Sequence, residues 1–480
     1  MSPLTALPPE LLNHVAFYLH PTNLLSLRLT CSQCYNSTFD NFADRVLTQR
    51  WLLREESLAT LLNITKHDKL RPRVTHFQLS TDMLADFTLD MFQRYADSDV
   101  TLGHYRAFLK CMRQQDDFLA NGRRKAHQAL VAVFAQMSAL RHVKVGQWLQ
   151  CGDEQCRRAW GAAPIETEID RVMESYSLGS LDSVVVEDED VPQTIDPEQM
   201  RSTPLCFQLV LHALVEAGRS VQSLSVGHWC GPHEAIDGCA ELHGLEVAGL
   251  DTLSPANNVL CQQLQSVFQH LRFLRLALDH AYHHYPGPDP NEEPKDWLAT
   301  FVGLATSLET LTLVFGGLSS YIRPAYDAEP FARLSRRPQC RYLRHLEFCN
   351  LEARSADLLT FLGKHASTVR VVTLRRIHLL DDNNSDETRH VRKWLTLLAS
   401  LEKAPLLTSI ELSCLYEADR SVLVFSTGHS LQCERCEAWT DHVGAVTRDG
   451  LSIECEHATY RSRSGRLPER LRWRSFRHPS

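Results

Sequence analysis

Two different spacings of apolar residues divide this chain. Near its start Leu7, Leu11, Val15 and Leu19 recur every four positions with Leu12 beside them, the stripe of an amphipathic helix with one side to bury. Pro8 and Pro9 fit its first turn, where no hydrogen bond is lost, and Glu10 complements the positive end of the helix dipole. His20-Pro21 ends it. A second helix is expected over residues 23–35, with Leu24, Leu27, Cys31 and Cys34 on one face and Leu25 and Leu29 on another. Two apolar sides need two partners. A segment this short encloses no core of its own. One face therefore rests on the first helix, and the rest of the chain or a second protein must cover the other. A third helical stretch is expected over 37–47.

Further on, the pattern becomes aliphatic-x-x-aliphatic-x-aliphatic. It is clearest at Leu343-Arg-His-Leu346-Glu-Phe348-Cys-Asn-Leu351, and it starts again at Val221, Leu242, Leu271, Leu308, Val369 and Leu407. Fainter copies run over 74–79 and 140–145. The last three positions alternate as in a short strand with one buried face, and the first aliphatic turns the chain into it. Helix-like stretches lie between them at 204–216, 258–270, 295–306, 356–365 and 388–401. Strand then helix, repeated, predicts a parallel sheet. The starts are 21 to 38 residues apart, which suits a repeat array with loop insertions; an ordinary doubly wound α/β domain is the alternative. Such an array buries its aliphatic positions between neighbours and leaves the intervening strand residues on one face, the surface solenoids use to bind partners. Those residues are Ser225, Glu246, Arg275, Thr312, Glu347, Thr373 and Glu411, of which Arg275, Thr312, Glu347, Thr373 and Glu411 are taken as target-binding candidates.

The residues of the first segment also resemble a family. The run Leu7-Pro8-Pro9-Glu10-Leu11-Leu12, then Val15, Tyr18-Leu19, Pro21, Leu24-Leu25, Leu27-Arg28-Leu29 and Cys31, is similar to the F-box, particularly the versions common in fungal proteins. It departs at Cys34, where the family often has Trp, although Tyr35 adjoins it. The resemblance implies docking on a Skp-type adaptor of a cullin complex. On it, Leu7, Pro8, Leu11, Val15, Leu19, Leu24, Leu27 and Cys31 insert between adaptor helices, with Glu10 and Arg28 on the polar rim. The later repeats resemble degenerate leucine-rich repeats; the Asn or Cys that regular repeats carry after the strand is present only as Asn350 and Cys414. The implied fold class is mixed α+β and α/β, a three-helix F-box followed by an irregular leucine-rich-repeat solenoid with helices on its convex side. The expected divisions are an F-box at 1–48 and a helical connector with the first degenerate repeats at 49–150. A loop or partly disordered insertion at 151–201, a repeat region at 202–425, and a C-terminal cap with basic tail at 426–480 follow.

Composition narrows the function. With 480 residues, 44% hydrophobic and 22% charged, the chain is ordinarily globular. It has no apolar run long enough to span a membrane, and its first residues lack the basic flank and apolar core of a signal peptide. The 15 cysteines are scattered within apolar patterns, which points to a reducing compartment, cytoplasmic or nuclear. A net charge of −8 makes nucleic-acid binding by the whole chain an unfavourable reading. The arginine-rich end, Arg461, Arg463, Arg466, Arg470, Arg472, Arg474 and Arg477, is the local exception.

Candidate chemistry is sparse. Cys433-Glu-Arg-Cys436 followed by Cys455-Glu-His457 has zinc-ligand types, though the second pair is tighter than usual, so no cofactor is expected. His280, His283 and His284 lack carboxylates at useful spacing, and no phosphate loop, nucleophile elbow or catalytic cysteine signature occurs. The expectation is a non-catalytic substrate-recognition subunit of an SCF-type ubiquitin ligase. Its alternatives are an interaction scaffold without ubiquitin transfer and a zinc-containing α/β protein.

Overall fold

A computed structural model of the chain describes residues 7–19, 21–47, 50–81, 118, 123–146, 159–160, 202–227, 245–246, 258–279, 297–315, 329–337, 340–380, 397, 400–401, 404–417, 421–426, 459–462 and 472–477. Two compact units, Met1–Arg219 and Ser220–Ser480, divide it.

The first unit opens with four helices, α1 (Pro9–Tyr18), α2 (Pro21–Thr30), α3 (Ser32–Ser37) and α4 (Phe39–Leu47). The expected helix over 23–35 is therefore two. Thr30 Oγ1 donates to the Leu27 carbonyl at 2.7 Å, replacing a backbone partner, and Cys31 is extended at φ −164°. The Cys31 thiol then caps α3 by accepting from the Cys34 N–H at 3.4 Å. A helix made discontinuous in this way turns the expected three-helix segment into one of four. Leu12, Ala16, Leu24, Cys34, Ala43 and Leu47 form its interior. Asn41 Nδ2 ties α4 to α1 through the Asn13 carbonyl and side chain at 2.6 and 2.7 Å.

A small parallel sheet follows, ordered β4 (Ala159–Trp160), β1 (Arg50–Leu52), β2 (His76–Ser80), β3 (His142–Gly146). The faint copies at 74–79 and 140–145 supply β2 and β3. Helices α5 (Glu55–Lys66), α6 (Arg123–Gln136) and α7 (Ser202–Glu216) accompany them. Phe77 of β2 meets Phe134 of α6 edge to face at 4.9 Å, and Arg219 donates to the Phe134 and Ala135 carbonyls at the end of α6.

The second unit has strands β5 (Ser223–Val226), β6 (Leu245–Glu246), β7 (Phe273–Asp279), β8 (Thr310–Phe315), β9 (His345–Cys349), β10 (Glu352–Arg354), β11 (Val371–Leu380) and β12 (Ser409–Glu417). The path β5-β7-β8-β9-β11-β12 is parallel throughout. Helices α8 (Asn258–Phe268), α9 (Trp297–Leu304), α10 (Glu329–Arg336) and α11 (Ser355–His365) lie between strands in sequence. The Phe331 and Phe361 rings stand 5.3 and 5.5 Å from that of Phe348, so α10 and α11 pack on the aliphatic side of the sheet. The repeat positions align: Leu224, Leu274, Leu311, Leu346, Val372 and Ile410 form one row, each at most 1% exposed.

The first half of each repeat has its own geometry. The N–H groups of Arg272 and Phe273 both donate to the Gln222 carbonyl at 2.8 and 3.1 Å. Glu309 and Thr310 bond the Arg272 carbonyl in the same way, Arg344 and His345 that of Glu309, Arg370 and Val371 that of Arg344, Thr408 and Ser409 that of Arg370. The aliphatics just before, Leu271, Leu308, Leu343, Val369 and Leu407, are all buried. Burial of that residue sets the turn, and one shared carbonyl steers two donors into the next strand.

Departures from expectation are local. Helix α10 has too short a pattern, Phe331 and Leu334, to be read from sequence. The copy at Leu242 contributes only Leu245–Glu246, paired with Leu278 and Asp279, so Glu246 does not join the row of Arg275. Asn350 takes the left-handed conformation, φ 54°, that passes β9 into β10 along the same edge of β11. The arginine-rich end is not wholly a tail: β14 (Thr459–Ser462) pairs antiparallel with β12, and β15 (Arg472–Arg477) with β13 (Ser421–Ser426).

Candidate functional site

Among the described residues of the first unit, large apolar side chains are exposed only on its opening helices: Leu11 at 50%, Val15 at 39%, Phe17, Tyr18, Leu25, Leu29 at 87%, and Tyr35. Leu11, Val15 and Tyr18 share one face of α1, while Leu12 and Ala16 on another are fully buried. Helix α2 is divided likewise, with Leu24 and Arg28 inward and Leu25 and Leu29 outward. These helices therefore do bury one face on each other and leave a second uncovered.

Arg28 lies inside this group and is the main correction to the expected site. It is 5% exposed, with its guanidinium 4.2 Å from the Tyr35 ring centroid and 4.1 Å from that of Phe42. Nη1 donates to the Tyr35 carbonyl at 2.9 Å and to Thr38 Oγ1 at 3.4 Å, and Thr38 donates onward to the Cys34 carbonyl at 2.7 Å. Burial lowers its pKa, opposed by Tyr35. An arginine held so does not form a polar rim; it locks α2 to α3 and α4. Leu24, 1% exposed, is likewise a core residue rather than a docking one. Leu11 and Val15 are exposed, Leu7, Leu19, Leu27 and Cys31 half-buried, Pro8 and Glu10 exposed. Of the outward residues absent from the expected set, Leu25 and Leu29 had a signal in the second apolar face of the helix over 23–35, whereas Phe17, Tyr18 and Tyr35 lay outside it.

In the second unit the expected target-binding residues do come together. Ser225, Arg275, Thr312, Glu347, Thr373 and Glu411 form one row across neighbouring strands. Three of them are already engaged: Thr312 Oγ1 donates to Glu347 Oε2 at 3.2 Å, and Arg375, one row on, bonds Glu411 at 2.7 Å. Burial lowers the pKa of Arg275, opposed by the Glu347 carboxylate. Beyond this row Ala277, Val314 and Cys349 are nearly inaccessible, and burial, then Glu347, pushes the Cys349 thiol far up. The face is thus open at the start of the strands and closed further along.

Among the described residues no group of three or more His, Cys, Asp or Glu is arranged to hold a metal. Cys433, Cys436, Cys455 and His457, and the cluster of His280, His283 and His284, lie outside the described residues. No described helix is long and apolar enough to cross a membrane.

Residues 4–40 match the family model of the F-box domain. No curated protein matches the chain. The uncovered apolar helices and this match fall on the same segment. F-box domains bind Skp-type adaptors within cullin complexes.

Proposed function

We propose that the chain is the substrate-recognition subunit of an SCF-type ubiquitin ligase. The F-box holds the Skp-type adaptor and the second unit, read as a degenerate leucine-rich-repeat array, holds a target protein. The observation that carries this is the exposed apolar surface of α1 to α3, seven large side chains that no described part of the chain covers. The mechanism is proximity. A target lysine held near a ubiquitin thioester meets it at raised effective concentration, so the chain needs no catalytic residue of its own. Cysteines spread through apolar positions fit residence in the cytoplasm or nucleus, where thiols stay reduced.

The test uses residues that face outward. Leu11→Asp and Leu29→Asp change exposed positions, whereas Leu24→Asp would unfold the segment. Each replaced leucine forfeits about 1.5–3 kcal/mol of burial against the adaptor, so the double variant should lose co-purification with it while keeping the wild-type circular dichroism spectrum. Undiminished adaptor binding by that folded variant refutes the proposal. Ubiquitin-remnant profiling of cells with the intact chain or the variant then identifies the target.

A further inference from the structure

Among the described residues of the second unit only three large apolar side chains are exposed: Phe273 at 42%, Tyr342 at 57% and Leu406 at 45%. All three stand where the chain enters a strand, before or at the start of β7, β9 and β12. Tyr342 and Leu406 each lie three residues before the first residue of their strands, two strands apart and so roughly 10 Å from one another at about 4.8 Å per strand, whereas Phe273 is itself the first residue of β7, in register with His345.

The same edge carries cations. Arg272, Arg344 and Arg370 occupy equivalent positions in successive turns, with Arg341 exposed beside them. The one carboxylate among these positions, Glu309, is bonded to Arg272 at 2.7 Å and lies 3.9 Å from Arg344. Arg341 and Arg370 have no acidic partner among the described residues. Arg272 and Arg344 remain about half exposed, at 48% and 49%. The positive sign is local, because the whole chain carries −8. A groove of about 520 Å³ occupies the part of this edge between the entries to β5 and β9, lined by Gln222, His270, Arg272, Ser307, Glu309 and Tyr342.

We propose that this strand-entry edge is a docking groove for an extended acidic peptide with an apolar residue at every third position. In the polyproline II form of an extended chain, with three residues per turn and about 3.1 Å per residue, every third side chain faces the same way and three steps nearly cover the roughly 10 Å between anchors, while intervening Asp or Glu side chains meet the arginines. A nucleic acid fits less well. The negative chain repels a long polyanion, and Leu406 offers no ring on which a base could stack. The proposal names the partner class for the target-binding role given above and rests on that role, but it is tested independently of adaptor docking.

The probe is a fluorescein-labelled peptide, Glu-Leu-Glu-Asp-Phe-Asp-Glu-Leu-Glu, titrated by anisotropy into the full chain co-purified with its adaptor. Two exposed charges are reversed in Arg344→Glu/Arg370→Glu, and Tyr342→Ala removes the central anchor without altering charge. Binding should weaken about tenfold or more in each, and a peptide of equal composition with its apolar residues adjacent should bind correspondingly worse. Leu11→Asp/Leu29→Asp should release the adaptor and leave peptide affinity unchanged, which separates failure of this proposal from failure of the ligase reading. Equal binding by both edge variants overturns it. So does equal binding of a peptide with Lys in place of Asp and Glu, or binding of an oligo-dT strand in place of the peptide.

Discussion

Arg28 offers the sharpest test of whether the opening helices are understood. In Arg28→Ala the Tyr35 carbonyl loses a charged donor at 2.9 Å, a loss of about 1.5–3 kcal/mol for a hydrogen bond of this kind. The guanidinium also stacks at 4.2 and 4.1 Å on two rings, worth about 0.5–1 kcal/mol each. Together these give roughly 3 kcal/mol of local stability, about two orders of magnitude in opening equilibrium. Native-state hydrogen exchange reads that directly at the amides of Tyr35, Thr38 and Phe42, which bond the carbonyls of Cys31, Cys34 and Thr38 at 3.0–3.1 Å. Their protection should fall about a hundredfold in Arg28→Ala. Arg28→Lys keeps the charge but presents no planar face to the rings, and should fall between. If protection is unchanged while adaptor affinity drops tenfold or more, Arg28 is a rim contact after all and the structural account of it is wrong.

Three other outcomes are expected. Gly227 has φ 87° and an added Cβ would lie 2.3 Å from Ala277 Cβ, so Gly227→Ala should cost about 3 kcal/mol in urea unfolding; Ala277→Gly should recover the overlap but not the backbone strain. Cys31 is half exposed with its thiol pKa lowered by the Cys34 N–H, whereas burial pushes Cys340 up to about 11 and Cys349 higher still. Iodoacetamide at neutral pH should therefore label Cys31 well before Cys340 and leave Cys349 untouched until denaturation, read by peptide mass spectrometry; comparable rates at the three would falsify the thiol assignments. His365 is buried, its Nε2 accepting from the Cys340 N–H at 3.1 Å and its Nδ1 meeting the Phe361 carbonyl at 2.8 Å, and burial lowers its pKa. The unfolded chain then takes up this proton first, so stability is full above pH about 6.5 and declines as pH falls below it; His365→Gln should flatten that decline, measured from urea midpoints.

What could be read in advance follows from how strongly each feature is tied to periodicity. The strand positions of the repeats were legible because an alternating apolar pattern fixes register, and Leu224 to Ile410 align as that pattern requires. The row from Ser225 to Glu411 was legible for the same reason, except Glu246, whose strand is too short to carry a register of its own. Arg28 was not, because nothing in a spacing rule says that a charge on an apolar face will find two rings seven and fourteen residues on. Nor was the break at Cys31, which depends on Thr30 and Cys31 side chains competing for backbone groups rather than on hydrophobicity. That one apolar face of that helix needs an outside partner was visible; that it is the face of Leu25 and Leu29 rather than that of Leu24 needed the fold.

The charged residues of the second unit divide by what their bonds already cost. Arg375 and Glu411 are each 19% exposed and bonded at 2.7 Å, so their desolvation has been met by one another. A partner reaching for either must break that pair first and gains little. Arg370 at the strand-entry edge is exposed and Arg344, about half exposed, has Glu309 only at 3.9 Å, so an acidic side chain arriving there displaces mostly solvent. Binding energy is therefore available at the edge and largely absent from the middle of the sheet. The row of Thr312, Glu347 and Glu411 then serves to hold strands in register, and the turns before those strands are the surface on which the proposed docking depends.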